Sequence, residues 1–171
     1  MIETLLRDLR QPEYIHVLLN PLPVYGLGVA LVGLLVAIIL RSRPAQIATL
    51  ALVLFTAAMA WPVFEYGEQS YDRVLAMADE DGGAWLKAHE HRADQLIYFF
   101  YALAFVSLVS IVLPAKFPKS ALPLAAATLL FGCVVAAMAA YIAQAGGKIR
   151  HREFRNEPPP KVQSEGDQES R

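Results

Sequence analysis

The chain has 171 residues, 56% of them hydrophobic and 18% charged, with a formal net charge of −1. Charged residues fall short of the usual quarter and apolar ones exceed the usual half, which excludes an ordinary soluble domain. The near-neutral balance excludes the basic footprint of a nucleic-acid binder, and the single cysteine, Cys133, excludes an internal disulfide framework.

The charges are segregated. No Asp, Glu, Lys or Arg lies between Asn20 and Leu40, Pro44 and Phe64, Gln95 and Ala115, or Ser120 and Gly147. Each gap is about 20 residues or more, the length that crosses about 30 Å of hydrocarbon as a helix. A soluble helix of that length needs a polar face, and these have none. The expected fold is all-α, an integral membrane antiparallel four-helix bundle with helices over 21–40, 45–66, 93–113 and 121–145.

Residues 1–19 read as an amphipathic arm at the membrane interface. Leu5, Leu6, Leu9, Ile15, Leu18 and Leu19 can share one side, opposite Glu3, Arg7, Asp8, Arg10 and Glu13. Gln11-Pro12 breaks this arm in two. Met1-Ile2-Glu3 lacks the basic start of a cleaved signal, so the first span is expected to stay as a signal anchor.

The transmembrane domain is placed at 20–147. Asn20 and Pro21 read as the cap and first position of span one. Gly26, Ala30, Gly33 and Ala37 then form a strip of small residues for close helix approach. Pro62 is expected to kink the end of span two. Beyond it Glu65, Glu68 and Asp72 form an acidic stripe on a continuing helix. Asp79-Glu80-Asp81-Gly82-Gly83 reads as a turn before a short helix over 84–90. His89-Glu90-His91-Arg92-Ala93-Asp94-Gln95, the densest ionisable cluster, leads into span three. Gly132, Ala136 and Ala140 make a second small-residue strip in span four, and Gly146-Gly147 reads as its stop. Residues 148–171 form a tail, basic at first and expected to be disordered from Asn156.

Four spans put both termini on one side of the cell membrane. They also gather all four histidines, His16, His89, His91 and His151, on that face. Its Lys and Arg excess predicts that it is cytoplasmic. Against it stand Arg41, Arg43, Lys116 and Lys119, concentrated in the short opposite connectors.

Three elements resemble a family of bacterial four-span membrane proteins of unknown function. The first is His16-Val17-Leu18-Leu19-Asn20-Pro21-Leu22-Pro23, where the family has His-Pro-x-x-x-His-Phe-Pro; Pro21 stands in place of its second histidine. The others are His89-Glu90-His91-Arg92 before span three and Gly146-Gly147 after span four. The resemblance implies a loose similarity to small membrane b-type cytochromes, without a direct transfer of haem ligation.

Three functions follow. A haem b protein would draw axial ligands from His16, His91 and His151. A divalent metal would find nitrogen and carboxylate donors in His89, His91, Asp94, Glu65 and Glu68, although His-x-His places its side chains about 200° apart on a helix. A non-catalytic subunit needs only its small-residue strips and acidic loop, and would bind the lipid bilayer and a membrane-protein partner or a second copy. No nucleophile–base pair, glycine-rich phosphate loop or Cys-x-x-Cys supports enzyme chemistry. The absence of ionisable groups at mid-membrane disfavours transport.

Overall fold

Every segment long and apolar enough to cross a bilayer is a helix in the computed structural model, which describes residues 2–159. Four spans follow one another: Pro12–Ile39, Arg43–Ala76, Glu80–Lys116 and Pro118–Arg150. The structure is 88% helical, with no strand among the described residues, so the all-α bundle holds. It is a multi-pass membrane protein. The tail from residue 160, expected to be disordered, lies outside the described residues.

The helices in chain order are α1 (Ile2–Asp8), α2 (Pro12–Leu19), α3 (Leu27–Ile39), α4 (Arg43–Ala58), α5 (Ala60–Ala76), α6 (Glu80–Lys116) and α7 (Ala121–Arg150). Helix α6 packs on α4 and α7, and α3 packs on the same two, closing the ring; α2 packs on α5. Leu27, Leu34, Leu50, Val53, Leu103 and Val135 fill the centre, each fully buried. Facing outward, Val29, Phe105, Val112 and Leu130 are 60–72% exposed. Without internal partners they suit a lipid surround, where apolar side chains cost nothing.

Proline explains the breaks. Pro62 has no N–H for the Ala58 carbonyl, so α4 stops at Ala58 and α5 restarts at Ala60. Pro114 leaves the Ser110 carbonyl without a partner in the same way. Here Arg43 fills the gap, its Nη2 donating to the carbonyls of Ser110 and Ile111 at 3.1 Å. Pro21 and Pro23 open span one as a π turn, Leu22–Gly26, rather than as a helix start. Asn20 has helical backbone angles and closes α2 as its C-cap, donating its N–H to the His16 carbonyl, instead of opening span one. Span one therefore begins at Pro12, and α2 runs into it instead of lying apart as an arm.

The small-residue strip of span one faces helices. A Cβ on Gly26 or Gly33 would stand 3.1 Å from a methyl of Thr56 or Thr49, and Ala30 and Ala37 are buried. In span four Gly132 seats Leu31, but the face continues through Val135 and Ala139, while Ala140 is exposed. Ser110 and Thr128, both fully buried, share a hydrogen bond of 2.8 Å between α6 and α7.

Two expected breaks are absent. Helix α6 is one element from Glu80, capped by Asp79, whose carboxylate accepts from Gly82 N–H at 2.9 Å. Position 82 is glycine because nothing larger fits: a Cβ there would come within 2.7 Å of the Ile149 carbonyl. Helix α7 runs through Gly146-Gly147 to Arg150, and no glycine among the described residues has positive φ. Packing against neighbours, rather than chain reversal, is what these glycines serve.

The start of the tail folds back. Arg155 donates to the Lys148 and Ile149 carbonyls at the end of α7 and to Asp79 at 2.9 Å. Arg152 adds a second contact to Asp79. Hydrogen bonding from Arg155 holds the Asp79 carboxyl down at about 2. Lys148 is buried over the Trp85 ring and pairs with Glu157 at 2.7 Å.

Candidate functional site

Where the apolar runs end on the histidine face, α2, α5, α6 and α7 enclose a cavity of about 540 Å³. That volume lies in the range of small-molecule and cofactor sites. Two histidines line it, His16 from α2 and His89 from α6, and they are held by the same device.

His16, on α2, directs Nδ1 to the Val63 carbonyl of α5 at 2.8 Å. The residue one turn beyond that carbonyl is Gly67, and a Cβ there would stand 3.1 Å from His16 Nδ1. His89, on α6, directs Nδ1 to the Ile142 carbonyl of α7 at 2.9 Å. One turn on is Gly146, where a Cβ would stand 3.1 Å from His89 Nδ1. In each case glycine lets an imidazole lie against helix backbone.

The chemistry follows from these bonds. A carbonyl only accepts, so each Nδ1 carries a proton, and in the neutral ring that leaves Nε2 with its lone pair. The two ring nitrogens flank Cε1, so fixing Nδ1 on one helix turns Nε2 away from it. Backbone carbonyls that hold Nδ1–H are the usual supports of metal-ligating histidines. The two ring centroids lie 6.3 Å apart with planes at 89°. Metal–nitrogen bonds of about 2 Å would put the centroids of two trans imidazoles about 6 Å apart.

The cavity walls are mostly apolar, among them Val24, Phe64, Ile97, Phe100 and Ala139. Polar groups gather toward the membrane surface. Glu68 and Tyr71 come from α5, Glu90 from α6 and Arg150 from α7.

The other expected ligands are elsewhere. His91 is exposed and bonded to Gln95 at 3.0 Å. His151 is exposed, bonded to Glu153 at 2.9 Å and stacked on Phe154. Neither lines the cavity, so the set His16, His91 and His151 does not converge. His89 takes the place assigned to His91. The metal set His89, His91, Asp94, Glu65 and Glu68 is likewise dispersed. Glu65 and Asp94 are exposed, and no three His, Cys, Asp or Glu side chains among the described residues could hold a metal ion together.

The helical period carried the signal that separates the two histidines. His89, Ala93, Ile97 and Phe100 recur at spacings of four, four and three, the stripe that α6 turns inward. His91 lies about 200° away from His89 on the helix. Gly67 gave no sequence signal and Gly146 read only as part of a helix stop, because their role against the imidazoles is visible only once the rings lie on them.

No protein-family profile matches the chain, and no curated protein or solved structure is detectably similar to it. The likeness noted around His16, His89 to Arg92 and Gly146-Gly147 is one of short elements alone.

Proposed function

We propose that the protein holds a b-type haem between His16 and His89 and serves as an electron-carrying membrane subunit with no catalytic site of its own. The observation that carries this reading is the imidazole pair: centroids 6.3 Å apart, planes at 89°, each Nδ1 tied to a carbonyl of a different helix. A divalent ion in a protein site asks for three or four protein donors; two histidines alone suit an iron whose other four ligands come from a porphyrin. The apolar cavity supplies the dry surround that such a group needs. When bound, the haem would supply one-electron chemistry. The chain's own residues would hold it through the His16 and His89 imidazoles, each oriented by its Nδ1–carbonyl bond, and would provide a seat between helices and exclusion of water.

The test is an absorption spectrum of the full chain purified in detergent from cells supplied with haem precursors. The expected result is an intense Soret band that shifts on reduction, with His16→Ala and His89→Ala each losing low-spin ligation. His91→Ala and His151→Ala should keep the wild-type spectrum. A colourless protein, or loss of the band on changing His91 rather than His89, would refute the reading. The Lys and Arg excess supports a cytoplasmic position for this face; a terminal reporter active only outside the cytoplasm would reverse it.

A further inference from the structure

A haem b carries two carboxylate arms, and its seat has to meet their charge. The cavity opens among charges of both signs. Glu68 and Glu90 bring negative charge from α5 and α6, and Glu13 does so from α2. Toward these walls a carboxylate would meet like charge.

The cations of this face are mostly committed to other partners. Arg73 pairs with Glu13 at 2.7 Å. Lys148 pairs with Glu157, and Arg152 and Arg155 with Asp79. Arg92 lies on the Tyr141 ring, 3.7 Å from its centroid, and donates to the Tyr141 carbonyl. Arg150 is different: it lines the cavity. Its only side-chain bond among the described residues is a weak one, to Met77 Sδ at 3.8 Å. It also stands one turn beyond Gly146, on the helix that holds His89.

Resting on the haem reading, we propose that Arg150 binds the carboxylate arms of the group held between His16 and His89. It thereby sets which edge of that group faces the membrane surface. Guanidinium is the side chain best matched to a carboxylate, offering two parallel donors in a fixed fork. The placement turns the carboxylates toward α7 and the water-facing mouth, and leaves the apolar edge of the ring against Phe64, Ile97 and Phe100.

The test compares ferric haem b with its dimethyl ester, in which both arms are neutral. Each is titrated into the full chain in detergent, freed of haem, and followed by the Soret band. A charge-assisted hydrogen bond to a carboxylate contributes about 10- to 100-fold in affinity. The wild type should therefore prefer haem b over the ester by about that factor. Arg150→Ala should bind the two equally, at the weaker level, with the low-spin spectrum of two imidazole ligands intact. Arg150→Lys should keep a reduced preference, since it retains charge but not the fork. Equal binding of haem and ester by the wild type, or a preference that survives Arg150→Ala, would overturn the assignment while leaving the histidine pair standing. Failure of the wild type to bind either compound would overturn both.

Discussion

Replacing the two cavity glycines by alanine separates ligand support from fold stability. An alanine Cβ at 67 would stand 3.1 and 3.2 Å from the Nδ1 and Cε1 of His16, and one at 146 would stand 3.1 Å from both atoms of His89. Ordinary carbon contacts begin near about 3.5 Å, so each ring must retreat by a few tenths of an ångström. The Nδ1···O bonds, now 2.8 and 2.9 Å, would pass about 3.2 Å, the edge of useful geometry. Losing one such bond costs about 1 kcal/mol. Alanine in place of glycine inside a helix returns about 1 kcal/mol. The two nearly cancel, so the melting temperature in detergent should move by no more than about 2–4 °C. Ligation should not be spared, because removing the partner that orients a ligating histidine costs about 10- to 100-fold in affinity. The assay pairs a circular-dichroism melt with a haem titration of Gly67→Ala, Gly146→Ala and the double variant. Unchanged haem affinity, or affinity lost only in step with the fold, would refute the argument.

Three further outcomes follow from the packing. Gly33→Leu and Gly132→Leu drive a side chain into Thr49 and Leu31 and should each destabilise by about 1–3 kcal/mol; unchanged melting of both in detergent would mean that these faces meet lipid. Arg43→Met strands the Ser110 carbonyl, at a cost of about 1–3 kcal/mol, and adding Pro114→Ala should recover part of the loss by restoring an N–H. The same recovery with Arg43 present would show that the guanidinium satisfies nothing. Asp79 holds the tail through Arg155, with its carboxyl depressed to about 2. A depressed folded value means that the contribution is complete above the ordinary carboxylate range near pH 4 and fades as pH falls toward 2. Proteolysis after Arg155 should therefore quicken below about pH 4 in the wild type, and be quick and flat with pH in Asp79→Asn; a flat, slow wild-type profile would exclude the strap.

The membrane architecture was legible in the sequence because it rests on an additive local quantity. Each charge-free run of about 20 residues is a span wherever it falls, since backbone in lipid must satisfy its own hydrogen bonds. Up-and-down order and the gathering of the histidines on one face followed from the number of spans. The kink at Pro62 was legible for the same reason: a missing N–H is a property of the residue itself.

The choice between His89 and His91, and the meaning of the glycines, depended on neighbours. Gly82, Gly146 and Gly147 are stop signals when only the chain is considered, because glycine costs a helix about 1 kcal/mol per residue. In the fold that cost is offset, since Gly82 admits the end of α7 and Gly146 admits the His89 ring. Asn20-Pro21 similarly looks like a start until α2 is seen packed on α5. Composition and local pattern determined that this chain crosses a membrane four times and which face carries its polar groups. Only the tertiary structure decided that His16 and His89 meet edge to face at one cavity, because that pairing depends on helix rotation and on close contacts between segments 73 residues apart.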